Sequence, residues 1–400
     1  MTSWIFAKRA ASMETSAIRE LLKLTEHADI ISFAGGLPAP ELFPVEGIRR
    51  ACQDVLEHYG PKALQYSISS GIHEIRIFLA DRLKKRGIEV SEDNFIITGG
   101  SQQGLDIIGK AFLDSGAVIL CENPTYLGAI QAFSAYRPAY VTVEMDEEGM
   151  IIDEVEAKIR RYHPRFIYTV PTFQNPTGRT MSYKRRVQLI ELAKKYSIPI
   201  VDDNPYSELR YSGEEMPSVK ALAGDWVIQL GTFSKIVSPG LRIGWIVAPL
   251  DLMPVLEKMK QALDLHTNTF SQYVVWEYCK EGRLEQHIER LKKAYKQRRD
   301  VMLEAMDNYM PEEVFWTKPE GGLFLWVHLP QEANSTQLLK YAIENKVAYV
   351  PGTGFFPNGG GYNTLRMNFS NANEEKIKTG VKRLAEVFKK HIERPVMVGT

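Results

Sequence analysis

Residues 95 to 250 alternate between short apolar runs and amphipathic stretches, and this alternation restricts the fold more than any other property of the chain. Phe95-Ile96-Ile97-Thr98 runs into Gly99-Gly100, and Ser101 to Leu113 then reads as helix. Ala117 to Leu120, Ala139 to Val143, Phe166 to Val170, Ile198 to Val201 and Trp226 to Leu230 are further strand candidates, with a strong helix over Ser182 to Tyr196. Parallel neighbours need a crossover of a dozen or more residues, so this spacing predicts a mostly parallel sheet covered on both faces. Ile243 to Val247 follows the preceding strand with no room for a crossover helix and is expected to run antiparallel.

After residue 255 the pattern turns helical, and Leu284 to Met306 reads as one long helix with Ile288, Leu291 and Tyr295 on one stripe. A smaller α+β unit follows, with strand candidates at Gly322 to Val327, Ala348 to Val350 and Thr364 to Phe369. A helix at about Thr15 to Leu24 is too short to stand alone and is expected to pack on this unit. The expected boundaries are a segment 1–45 that joins the small domain, a large domain 46–290 and a C-terminal small domain 291–400.

Bulk composition narrows the function. The 400 residues are 44 % hydrophobic and 24 % charged, ordinary for a globular protein with a large core. Lysine plus arginine equals aspartate plus glutamate at 49 each, and zero net charge argues against a nucleic-acid or anionic-membrane surface. Cys52, Cys121 and Cys279 are too scattered for a disulfide framework or a metal motif. No run approaches the ~18 apolar residues that span a bilayer. The N-terminus has no signal-peptide stretch, so a cytoplasmic location is expected.

Ligands of open parallel sheets bind beyond the carboxyl ends of the strands, and each notable motif follows such an end. Gly99-Gly100-Ser101-Gln102-Gln103-Gly104 offers a glycine turn and a helix N-terminus, which suit an anion. Ser101 breaks the dinucleotide fingerprint, and no Gly-Lys-Ser/Thr completes a P-loop, so an ordinary turn is the alternative. In Asn175-Pro176-Thr177-Gly178, Asn175 can donate to a ligand oxygen, or the segment is only a turn. In Asp202-Asp203-Asn204-Pro205-Tyr206, a carboxylate at a strand end can pair with a pyridinium nitrogen and Tyr206 can reach a ring hydroxyl; a capping loop is the alternative. Thr232-Phe233-Ser234-Lys235 follows a strand and precedes Arg242, a setting that suits a Schiff base between Lys235 and a phosphorylated aldehyde. Arg366 stands in an apolar strand, where it clamps a substrate carboxylate or forms a structural salt bridge.

Taken in order, these motifs resemble the fold-type I, class I/II aminotransferases that use pyridoxal phosphate, over about Ile31 to Lys389. Ser32-Phe33-Ala34-Gly35-Gly36-Leu37-Pro38 and the stretch from Thr232 to Arg242 resemble the 2-aminoadipate and aromatic (kynurenine) subgroup. The resemblance implies a three-layer large domain with a mostly parallel seven-stranded sheet carrying one antiparallel strand, plus a small α+β domain formed by both termini. It implies Lys235 as the Schiff-base lysine and proton shuttle, Asp203 on the pyridinium nitrogen, with Asp202 as the other choice, and Asn175 and Tyr206 on the ring hydroxyl. Ser101, Gln102, Thr232, Ser234 and Arg242 would hold the phosphate, Tyr126 would stack on the ring, and Tyr66 would reach the phosphate of a partner subunit. Arg366, Asn175, Gly36, Arg19 and Ser16 would bind substrate, Arg19 and Ser16 at a distal carboxylate. The implied reaction moves an amino group from an L-amino acid (2-aminoadipate, aromatic or aliphatic) to 2-oxoglutarate, by a ping-pong mechanism, in a homodimer with composite active sites and without a metal. A β-lyase or decarboxylase on the same cofactor is the alternative. A sensor domain of a transcription regulator is disfavoured, because the fold begins almost at Met1 and lacks a basic patch.

Overall fold

The computed structural model describes residues 4–13 and 29–392. The helix expected at Thr15 to Leu24, and with it Ser16 and Arg19, lies outside the described residues. The first strand, β1 (Ile31–Ser32), stands apart from the main sheet. Eight strands make that sheet: β2 (Phe95–Thr98), β3 (Val118–Asn123), β4 (Ala139–Asp146), β5 (Gly149–Met150), β6 (Phe166–Thr169), β7 (Ile200–Asp203), β8 (Val227–Thr232) and β9 (Gly244–Val247). Their order is β2-β9-β8-β7-β6-β3-β4-β5. Strands β4, β3, β6, β7 and β8 are mutually parallel, while β9 runs antiparallel to both β8 and β2 as its short connection requires.

The expected seven strands become eight. The addition is β5, which folds back on β4 through a two-residue hairpin at Glu147-Glu148, with Asp146 paired to Gly149. Two residues are too few to show a period of two in the sequence.

The alternation of side chains along the strands divides the core into two layers. Ile119, Phe166, Val201 and Ile228 pack on one face, together with Leu105 and Ile108 of the helix Ser101–Phe112. Leu120, Ile167, Ile200 and Val227 pack on the other, against Val155 and Ile159 of the helix Ile152–Tyr162 and Leu189 and Ala193 of the helix Tyr183–Tyr196. With both faces covered, polar groups on these strands reach a ligand only at the carboxyl ends. Those ends carry Asn123, Asp203 and Thr232.

The smaller sheet contains β10 (Phe315–Trp316), β11 (Phe324–His328), β13 (Val350–Pro351) and β14 (Thr364–Asn368), all antiparallel in the order β10-β11-β14-β13. The strand expected over Ala348 to Val350 divides in two. Its first part, β12 (Val347–Ala348), pairs in parallel with β1, and its second is β13. The long helix is continuous over Arg283–Tyr309 and buries Ile288, Leu291 and Tyr295, so the boundary expected at residue 290 falls inside one helix.

Candidate active site

A cavity of about 370 Å³ opens at the carboxyl ends of β7 and β8. Its walls hold Ser101, Gln102, Tyr126, Asn175, Asp203, Tyr206, Thr232, Ser234, Lys235 and Arg242, all expected from sequence. Leu127, Gly128, Gln131, Val170, Pro205 and Pro239 complete the lining.

One end is built for an anion. Gly100 precedes the first turn of the helix Ser101–Phe112 with φ +83°, and a Cβ there would lie 2.5 Å from a guanidinium nitrogen of Arg242. The glycine therefore lets Arg242 lie against the turn, where it donates to the Gly99 carbonyl at 2.9 Å and to the Pro239 carbonyl at 3.2 Å. The Thr232 hydroxyl donates to Ser234 Oγ at 2.9 Å, and its oxygen accepts from the Ser234 N–H at 3.1 Å. Gln102 is oriented by a 2.8 Å bond from its amide to the Gly128 carbonyl. Helix N–H groups, two hydroxyls and a guanidinium thus converge on one end.

The opposite end carries Asp203. Adjacent residues on β7 point to opposite faces, so Asp203 enters the cavity while Asp202 turns away and accepts from Gln229 Nε2 at 2.9 Å. Asp203 is 1 % exposed; one oxygen, Oδ2, accepts from the Tyr168 hydroxyl at 2.9 Å. The other, Oδ1, is buried without a hydrogen-bond partner among the described residues. Burial raises its carboxyl pKa to about 7, with Asp202 and Glu122 adding to the rise and the Tyr168 hydrogen bond opposing it.

Lys235 lies between these ends. Its Nζ donates to the Gly36 carbonyl at 2.7 Å. Burial lowers its pKa to about 8, helped by the positive charges of Arg366 and Arg242, so this amine loses its proton far more readily than an exposed lysine. Asn175 links the remaining pieces: its Nδ2 donates to the Tyr206 hydroxyl at 3.2 Å, and its Oδ1 accepts from Arg366 at 2.9 Å.

Arg366 stands on β14, 2 % exposed, with its guanidinium 4.2 Å from the Phe324 ring centre and donating to the Ala34 carbonyl at 2.8 Å. Among the described residues it has no carboxylate partner, so a structural salt bridge does not account for it. Arg366 and Gly36 do not line the cavity but touch residues that do, Asn175 and Lys235. Tyr66 is not brought to the site: it is 79 % exposed, and its ring makes a T-shaped contact with His266 at 5.8 Å between ring centres. Sequence reasoning missed Tyr168, because a tyrosine inside an apolar strand reads as core. It also missed Gln131, because no motif marks the helix Leu127–Ser134.

The family model for aminotransferase class I and II matches residues 29–384. The chain belongs to that family. This enzyme is 48 % identical to aromatic-amino-acid aminotransferase 1 of Thermococcus litoralis, across 97 % of this chain and 95 % of that one. Its structure superposes on the kynurenine aminotransferase of Pyrococcus horikoshii, solved with PMP, with a TM-score of 0.93 at 48 % identity, covering 97 % of this chain and 98 % of that one. The alpha-aminoadipate aminotransferase of Thermus thermophilus, complexed with N-(5'-phosphopyridoxyl)-L-leucine, gives 0.91 at 42 % identity over 96 % and 97 % of the two chains. No described helix of the enzyme is long and apolar enough to cross a membrane.

Proposed function

We propose that this enzyme holds pyridoxal 5'-phosphate in the cavity and transfers an amino group from an L-amino acid to 2-oxoglutarate. The observation that carries this reading is Asp203 in the cavity wall, whose buried Oδ1 has no donor among the described residues. A protonated ring nitrogen is the donor it lacks, and the anion-binding end across the cavity suits a phosphate. When bound, the cofactor supplies an aldehyde and an electron-withdrawing ring.

The chain's own groups do the rest. Lys235 Nζ is the covalent anchor and the base that takes the proton from the substrate's α-carbon; its lowered pKa suits both tasks. Asp203 holds the ring nitrogen, and Tyr168 fixes the carboxylate. Asn175 and Tyr206 hold the ring oxygen, Tyr126 covers a ring face, and Ser101, Gln102, Thr232, Ser234 and Arg242 bind the phosphate. Arg366, with Asn175 and the Gly36 segment, receives the substrate's α-carboxylate. One site then serves both half-reactions, which makes the kinetics ping-pong. Incubation of the holoenzyme with single L-amino acids and 2-oxoglutarate should form glutamate. Pyruvate with ammonia, or CO₂, in place of glutamate would overturn the reading.

The same reading includes a homodimer with composite sites. Leu64, Tyr66, Ile68 and Leu265 are all exposed, and a second copy of the chain would cover them and bring its Tyr66 hydroxyl to the phosphate. Mixed dimers of Tyr66→Phe and Lys235→Ala subunits would carry one site with both lesions and one with neither, so mixing should restore activity. A fully active monomer in sedimentation would contradict this. A cytoplasmic location is supported by Cys52, Cys121 and Cys279, all free thiols.

For acidic substrates the proposed distal-carboxylate groups are Arg19 and Ser16. Arg19→Ala should raise KM for 2-oxoglutarate and 2-aminoadipate by about tenfold or more, the scale of one lost charge-assisted pair, while sparing leucine and phenylalanine. Equal losses for acidic and apolar substrates would move the acid-binding role elsewhere.

A further inference from the structure

We propose that Glu122 is a positioning residue for amino-group transfer: through Gln174 it fixes the turn that carries Asn175. Glu122 is the penultimate residue of β3, on the face of the sheet remote from Asp203, 1 % exposed, and does not line the cavity. Three donors converge on its carboxylate. Thr169 Oγ1 and the Val170 N–H reach it from β6 and the residue beyond, and Gln174 Nε2 reaches it at 3.1 Å.

Gln174 has no spare capacity. Its Nε2 also donates to the Pro124 carbonyl at 2.8 Å, and its Oε1 accepts from the Thr177 N–H at 2.9 Å and the Thr177 hydroxyl at 2.7 Å. The Thr177 carbonyl in turn accepts from Thr317 Oγ1 at 2.7 Å. Every donor and acceptor of the Gln174 amide is used, so its orientation is set by its partners. Asn175 is the next residue, and its side chain joins Tyr206 to Arg366. Glu122 is thus two side chains away from the arginine that faces the substrate carboxylate: a hydrogen bond to Gln174, the backbone from Gln174 to Asn175, and a hydrogen bond from Arg366 to Asn175.

The Val170 N–H and Gln174 Nε2, which can only donate, share one oxygen of Glu122, while the Thr169 hydroxyl meets the other. Methionine at position 122 keeps the length but removes the acceptor that both donors need in this buried place. The displaced group is the Gln174 amide, because Thr169 and Val170 are tied to the sheet.

The inference rests on the transaminase reading above. The test is steady-state kinetics of holoenzyme carrying Glu122→Met, with an L-amino acid accepted by the wild type and 2-oxoglutarate as acceptor. We expect KM for the amino acid to rise about tenfold, with a smaller fall in kcat, because the Arg366–Asn175 pair is misaligned. Glu122→Gln keeps a carbonyl oxygen for Val170 and Gln174 while the Thr169 hydroxyl turns to accept, so it should retain most of the activity. Folded Glu122→Met with wild-type KM and kcat overturns the inference, as does a Glu122→Gln variant as impaired as Glu122→Met. If Glu122→Met does not fold, Gln174→Met cuts the same link from the other side, and wild-type kinetics there overturns it equally. A wild type that forms no glutamate sinks the transaminase reading, whereas an active wild type with an indifferent Glu122→Met sinks only this inference.

Discussion

Lys235→Ala is expected to lower the rate of amino-group transfer by at least about 1,000-fold and to abolish borohydride-trappable attachment of pyridoxal phosphate to the protein. Among the described residues Lys235 is the only lysine in the cavity lining, so none of them offers a second amine in its place. The neighbouring Gly36 carbonyl and the anion-binding end do not depend on the lysine side chain, and the variant should still bind the cofactor non-covalently. A trappable bond surviving in the purified variant would refute the assignment. The lowered pKa adds a pH signature. An exposed lysine holds its proton to about pH 10.4, but Lys235 releases it near 8. Only the neutral amine attacks an aldehyde, so capture of added cofactor by the apoenzyme should accelerate as pH rises through about 8 and level off above it. A rate still climbing at pH 10 would mean that the amine is not desolvated.

Asp203→Asn should cost on the order of 100- to 1,000-fold in rate with the fold intact, because an amide cannot balance a protonated ring nitrogen. Asp202→Asn should cost less than about tenfold, since Asp202 faces the other layer and its partner is Gln229. Stopped-flow rates of the two half-reactions in both variants would settle the ranking, and the reverse order would show that the wrong member of the pair was chosen.

That choice illustrates how much the sequence contained. Asp203 was legible because it lies three residues before Tyr206 and one strand from Lys235, and strand alternation then decides which of two adjacent acids faces the ligand. The gathering of the proposed phosphate-binding residues at one cavity was legible for a similar reason: glycines, hydroxyls and Arg242 follow strand ends at short range. What escaped depends on contacts between distant segments. Tyr168 and Glu122 sit in apolar strands and acquire roles only when β3, β6 and β7 pair in register. In the helix Tyr183–Tyr196 the buried face includes Arg186, which donates to the Met181, Pro171 and Pro217 carbonyls and the Thr172 hydroxyl. No pattern of apolar residues announces a buried arginine of that kind. The division of Ala348 to Val350 between two sheets was equally invisible, because both halves are apolar and only their partners differ.

The register of β7 also has a genetic consequence. Strand β7 is four residues long, and its two carboxylates are adjacent, one facing Gln229 and one facing the cavity. Deleting or inserting a single codon within it would leave hydropathy and net charge almost untouched, yet would rotate the acids through half a turn and exchange their surroundings. A length change there would thus silence the catalyst as surely as a charge reversal. Natural variation in this segment should accordingly proceed by substitution, while indels collect in exposed connections such as Ser212 to Glu215, where no functional side chain depends on the count.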